Sequence, residues 1–76
     1  MFLVLVNGYS VDCDKLKAVK FIKKYGDEYS NKEAEHAVNS ILGNKKIFIK
    51  CPNKVNANSL STELYNAGFS CKFLKT

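Results

Sequence analysis

Three short apolar runs of β character, 2–6, 46–51 and 69–74, alternate with stretches whose apolar residues recur every three or four positions. Two helical stretches lie between the first and second runs and one between the second and third. That order predicts an α+β chain, β-α-α-β-α-β, because every half-apolar strand or helix needs another layer against its greasy side. A three-stranded sheet with three helices packed on one face buries every stripe at once. The 76 residues make one domain, residues 1–76. A chain of that size buries roughly 60% of its unfolded surface, which leaves little room for a large substrate cleft.

The first run, Phe2-Leu3-Val4-Leu5-Val6, reads as a buried strand ended by Asn7-Gly8, a dipeptide suited to the positive φ angles of tight turns. Asp12 or Asp14 then offers a helix cap, and a helix is expected over about 14–25. At 100° per residue, Ala18, Val19, Phe21, Ile22 and Tyr25 share one arc, with Leu16 at its edge, and Lys17, Lys20, Lys23 and Lys24 take the other side. Gly26 ends this helix. Ser30-Asn31-Lys32-Glu33 has capping-box spacing and opens a second helix on the stripe Ala34, Ala37, Val38, Ile41, with Gly43 suited to a left-handed terminating residue.

In the second run a period of two sends Ile47, Ile49 and Cys51 to one face and Phe48 with Lys46 and Lys50 to the other. Pro52-Asn53 breaks it. The third helix carries Ala57, Leu60, Leu64 and Ala67, with Asn56 or Asn58 as its cap and Gly68 as its stop. Phe69 to Leu74 alternates again as the last strand.

Two segments hold nine of the twelve lysines: 15–24 has five, 45–54 has four, and neither contains an acid. Positive potential so concentrated steers anionic partners, whether an acidic protein surface or nucleic-acid phosphate. For nucleic acid, exposed Tyr9, Tyr29, Phe48 or Tyr65 would stack on unpaired bases. The complete lack of arginine removes the commonest reader of guanine and disfavours sequence-specific duplex recognition. For a protein partner, the lysine face of the first helix meets an acidic patch and Phe48 supplies an apolar anchor. The competing explanation is a solvated face that keeps a small domain soluble.

Catalytic chemistry finds little footing. His36 lies off the second helix's apolar stripe with no paired nucleophile, and Asp12 with Asp14 explain themselves as caps. Cys51 and Cys71 fall on core-facing strand positions, while Cys13, near a helix start, is the more reactive candidate. The three cysteines form no metal-ligand spacing, leave one thiol over in any disulfide scheme and fit a reducing cytoplasm. No metal or cofactor is expected. The longest apolar run near the N-terminus is too short for a signal-peptide core or a membrane span, so no membrane partner is expected.

Three strings stand in order along the chain: Ala18-Val19-Lys20-Phe21-Ile22-Lys23 in the first helix, Lys32-Glu33-Ala34 in the second and Leu64-Tyr65-Asn66-Ala67-Gly68 before the last strand. Their order and spacing resemble the C-terminal domain of the bacterial ribosomal stalk protein, whose fold is shared by the N-degron adaptor of the Clp protease. The likeness covers nearly the whole chain and implies the same β-α-α-β-α-β fold. It also implies that Lys20 and Lys23 dock a translation factor or similar machinery. The family's Gly-Leu-Gly-Leu link corresponds here to Glu28-Tyr29-Ser30-Asn31. Val4-Leu5-Val6-Asn7 is similar to the adaptor's strand, with Gly8-Tyr9 in place of its acidic pair. The reading from sequence is therefore a stand-alone, non-enzymatic cytoplasmic adaptor that docks an acidic macromolecule through Lys17, Lys20, Lys23 and Lys24. Such a module suits a phage or mobile element acting on host machinery. Sequence-tolerant nucleic-acid binding is the alternative, and the oligomeric state is left open.

Overall fold

A computed structural model describes residues 2–75 of the chain. The elements are β1 (Phe2–Tyr9), α1 (Lys15–Tyr25), α2 (Asn31–Leu42), β2 (Ile47–Cys51), α3 (Lys54–Asn66) and β3 (Phe69–Lys75), the expected order. The sheet is antiparallel with strand order β2-β1-β3, so the first strand is central. Its buried face carries Val4, Val6, Ile49, Cys51 and Phe69, with the Phe2 and Phe73 rings edge-on beside them at 5.9 Å.

Three helices cover that face, but not as one flat layer. α2 and α3 make the principal contacts with the sheet, while α1 packs across α2 and α3. Ala18 and Ile22 of α1, Ala34, Val38 and Ile41 of α2, and Ala57, Leu60 and Leu64 of α3 close one continuous core. Burial of each large aliphatic side chain contributes about 1.5–3 kcal/mol relative to exposure. The predicted stripes of all three helices face the core, with Phe21 and Tyr25 of α1 only half-buried at its margin.

The local signals that departed from expectation did so where tertiary contacts intervene. Asn7-Gly8 does not turn the chain. β1 runs through it to Tyr9, and the register on β3 shifts between Val6 and Gly8, a bulge that lets Gly8 and Tyr9 keep pairing with Ser70 and Phe69. The third helix is capped by Asn53, whose side chain accepts from the Asn56 amide at 2.8 Å, rather than by Asn56 or Asn58. Gly43 has φ −87°, and the left-handed conformation falls instead on Asn44 (φ 67°), a residue type that tolerates it. Gly68 does take a positive φ, 94°. A Cβ there would also come within 2.7 Å of the Cys13 Cα, so glycine is needed for both backbone conformation and close approach.

The link after α1 closes one edge of the sheet. At β2, Asp27 N–H donates to the Lys50 carbonyl at 2.8 Å, and Lys50 N–H donates to the Tyr29 hydroxyl at 3.1 Å. The link after α1 thus satisfies backbone groups that an edge strand would otherwise present to another chain. Glu28, at φ 58°, makes the reversal that brings Tyr29 there, and Gly26 leaves the space its ring needs: a Cβ on Gly26 would lie 2.5 Å from Tyr29 Cδ2.

Candidate docking surface

The candidate surface is built on α1. Asp14 caps the helix by accepting from the Lys17 amide at 3.1 Å, and Gly26 N–H closes the last turn on the Ile22 carbonyl at 2.9 Å. Ala18, Val19 and Ile22 are buried, with Phe21 and Tyr25 half-buried beside them. With that arc turned inward, Lys15, Lys17, Lys20, Lys23 and Lys24 are all exposed. Lys23 and Lys24 stand in the last turn, where the partial negative charge of the helix C-terminus favours cations. The Lys24 ammonium also lies 5.3 Å from the Tyr25 ring centroid, within cation–π range.

The nearby carboxylates hydrogen-bond to groups other than the lysine amines, Glu35 from the opposite wall of the groove between α1 and α2. Asp14 holds the cap, Asp12 accepts from the Ser10 hydroxyl at 2.8 Å, and Glu35 accepts from the Asn31 amide nitrogen at 3.3 Å. None of those bonds uses a lysine amine.

Beside the ridge an open groove of about 720 Å³ runs between α1 and α2. Lys15, Lys20, Lys23 and Lys24 border it on the α1 side, and Asn31, Glu35 and Asn39 on the α2 side. Leu16 and Val19 supply its apolar lining. Of the four lysines expected to act together, Lys20, Lys23 and Lys24 share the groove, whereas Lys17 is exposed but does not border it. Lys15 is an addition. Leu16 corrects the helical-wheel expectation: it is 81% exposed and belongs with the lysines rather than at the edge of the buried arc. At 100° per residue it falls between Lys20 and Lys23, and that position was visible in the sequence.

The remaining sequence candidates do not join this surface. Phe48, expected as an apolar anchor for the same partner, lies on the outer face of the sheet, away from the helices. Tyr9 donates its hydroxyl to the Leu42 carbonyl at 3.0 Å, tying the end of β1 to the end of α2. Tyr29 is half-buried against the core and holds the β2 edge, so its ring is not an open stacking platform. Tyr65 is exposed on α3.

His36 is exposed on α2, and no cluster of three or more metal-ligating side chains occurs among the described residues. Cys51 is buried, and desolvation, helped by the Asp27 charge, pushes its thiol up to about 11. Cys71 donates to the Ser61 carbonyl at 3.1 Å, and burial raises its thiol too, against the opposing effect of its hydrogen bonds. Cys13 is half-buried against the core, with its amide on the Ser10 carbonyl.

These features define a small α+β domain with an exposed cationic helix and an apolar groove at its side. No protein-family model, curated protein or solved structure matches the chain. Among the described residues no helix is long and apolar enough to cross a membrane.

Proposed function

We propose that this chain is a non-enzymatic binding module that docks an acidic protein surface through α1. The observation that carries this reading is the pairing of Leu16, 81% exposed, with Lys20 and Lys23 along a groove whose α1 wall contains no acid. An exposed leucine flanked by Lys20 and Lys23 matches a partner that offers an apolar side chain within a field of carboxylates. The lysines speed and orient encounter, and the buried apolar contact slows release.

The resemblance of the α1 string to the ribosomal stalk domain supports a translation factor or similar host machinery as the partner class. A cytoplasmic location accords with the unpaired cysteines.

The experiment is affinity capture from a bacterial lysate treated with nuclease, with wild type compared against Lys17→Glu/Lys20→Glu/Lys23→Glu/Lys24→Glu. Expected is a protein retained by wild type and lost by the variant, whose purified form then binds more than about tenfold more weakly to the variant. Identical retention by both overturns the reading.

A further inference from the structure

The second lysine segment, 45–54, takes no part in the α1 surface, and its Lys50 lies on the outer face of the sheet, which no helix among the described residues covers. From the strand register, Leu3 lies between Lys50 and Leu74 on the outer sheet face, and Leu5 lies between Phe48 and Lys72. Phe48 is 53% exposed, Lys50 and Lys72 are exposed, and Leu3, Leu5 and Leu74 are half-buried. Lys45 and Lys46 precede β2 and Lys54 opens α3, all exposed. None of the seven acids of the chain lies on a strand. The outer face is thus an apolar floor with one open aromatic ring and only positive charge on its strands.

We infer that this face is a binding platform for single-stranded nucleic acid, read without sequence preference. Phe48 and Lys50 are two residues apart on one side of β2, about 7 Å along the strand, which lets one nucleotide stack its base on the ring and set its phosphate by the amine. Leu5 and Leu3 continue the floor under the neighbouring nucleotide, and Lys72 across β1 meets phosphate on the far side. The hollows between α1 and α2, beside α2 and at the Tyr9–Ser70 end of the sheet are not lined by Leu3, Leu5, Phe48, Lys50 or Lys72, which lie on an open sheet rather than in a trough. A flat base suits such a face better than the side chains of an acidic helix, which need a groove to enter. The platform is separate from the α1 ridge and stands whether or not α1 docks a protein.

The test uses end-labelled oligo(dT) and oligo(U) in fluorescence anisotropy across a salt series, with wild type, Phe48→Ala, Lys50→Gln/Lys72→Gln and Lys20→Gln/Lys23→Gln. Circular dichroism melting confirms that each variant is folded. Expected is binding that weakens with salt, a loss of about tenfold for Phe48→Ala, and a double-logarithmic salt slope shallower by about 0.7 for each platform lysine removed. The ring proton signals of Phe48 shift upfield on addition of the oligonucleotide, a stacking signature that charge attraction alone does not produce. The Lys20→Gln/Lys23→Gln protein keeps that signature. Absence of binding at low salt overturns the inference, as does equal binding by wild type and Phe48→Ala, or loss of binding only with the α1 substitutions. Polyglutamate that displaces the oligonucleotide and depends equally on Phe48 also overturns it, in favour of an acidic protein on this face.

Discussion

The two lysine-rich segments carry similar charge on surfaces of different shape, and shape is what separates their readings. On α1 the amines stand on a convex ridge beside a groove with aliphatic lining, Leu16 and Val19. Around β2, Lys50 lies on an open sheet face that also presents an aromatic, Phe48 opposite Leu5. Between them in sequence, 25–44 holds four acids and one lysine, so the formal charge of +5 is distributed as two basic regions rather than a uniform coat. Charge alone draws an anionic partner to either surface. The apolar groups beside the charge select its kind.

The comparison breaks first if α1 is displaced, because its ridge depends on a seat across α2 and α3. Ile22 is fully buried in that seat, and Ile22→Ala is expected to cost about 2–5 kcal/mol in chemical denaturation, against less than about 0.5 kcal/mol for Phe48→Ala. Equal costs would mean that Phe48 is a core residue and the outer face is not free. Gly68→Ala should cost about 2–3 kcal/mol, since it puts a side chain at φ 94° and against Cys13. A cost below about 0.5 kcal/mol would show that the α3–β3 junction relaxes.

The caps give smaller effects. Ser30 accepts from the Glu33 amide and Glu33 accepts from the Ser30 amide, both at 3.1 Å, and Asn53 caps α3. Ser30→Ala and Asn53→Ala should each cost about 1 kcal/mol in the same assay, whereas Asn58→Ala should cost almost nothing. The Ser30 amide, helped by its hydroxyl, holds the Glu33 carboxyl below its ordinary range. A depressed carboxyl stabilises the fold above its unfolded value of about 4.5 and loses that contribution as pH falls, so Glu33→Gln should flatten the acid limb of the stability curve. At the other extreme Cys51 keeps its proton in the fold to about 11 against an ordinary 9.0. The unfolded thiol ionises first, so stability falls as pH rises through that window, and Cys51→Ala should remove part of the fall. Unchanged slopes in either variant would contradict the assigned cause.

Much of the fold was legible because its signals are local. The alternation of Ile47, Phe48 and Ile49, the Ser30–Glu33 box and the stripe from Ala57 to Ala67 each depend on residues within a few positions. What sequence missed depends on distant partners. Asn7-Gly8 has turn chemistry, but pairing with β3 absorbs it as a bulge. Asn53, Asn56 and Asn58 are all competent caps, and Pro52 obscured which of them begins α3. On the candidate surface the lysines were evident. The helical wheel already sets Leu16 between Lys20 and Lys23, whereas the groove beside them, and Lys17's place off it, follow only once α1 is placed across α2 and α3.

The most direct test of the α1 reading is a heteronuclear NMR titration of the folded chain with a short polyglutamate peptide carrying one leucine, at low salt. The account predicts amide shifts concentrated at Leu16, Val19, Lys20 and Lys23 and along the Asn31–Asn39 side of α2, and their loss in Leu16→Ala at unchanged melting temperature. Shifts spread evenly over every lysine, or centred on β2, would contradict it.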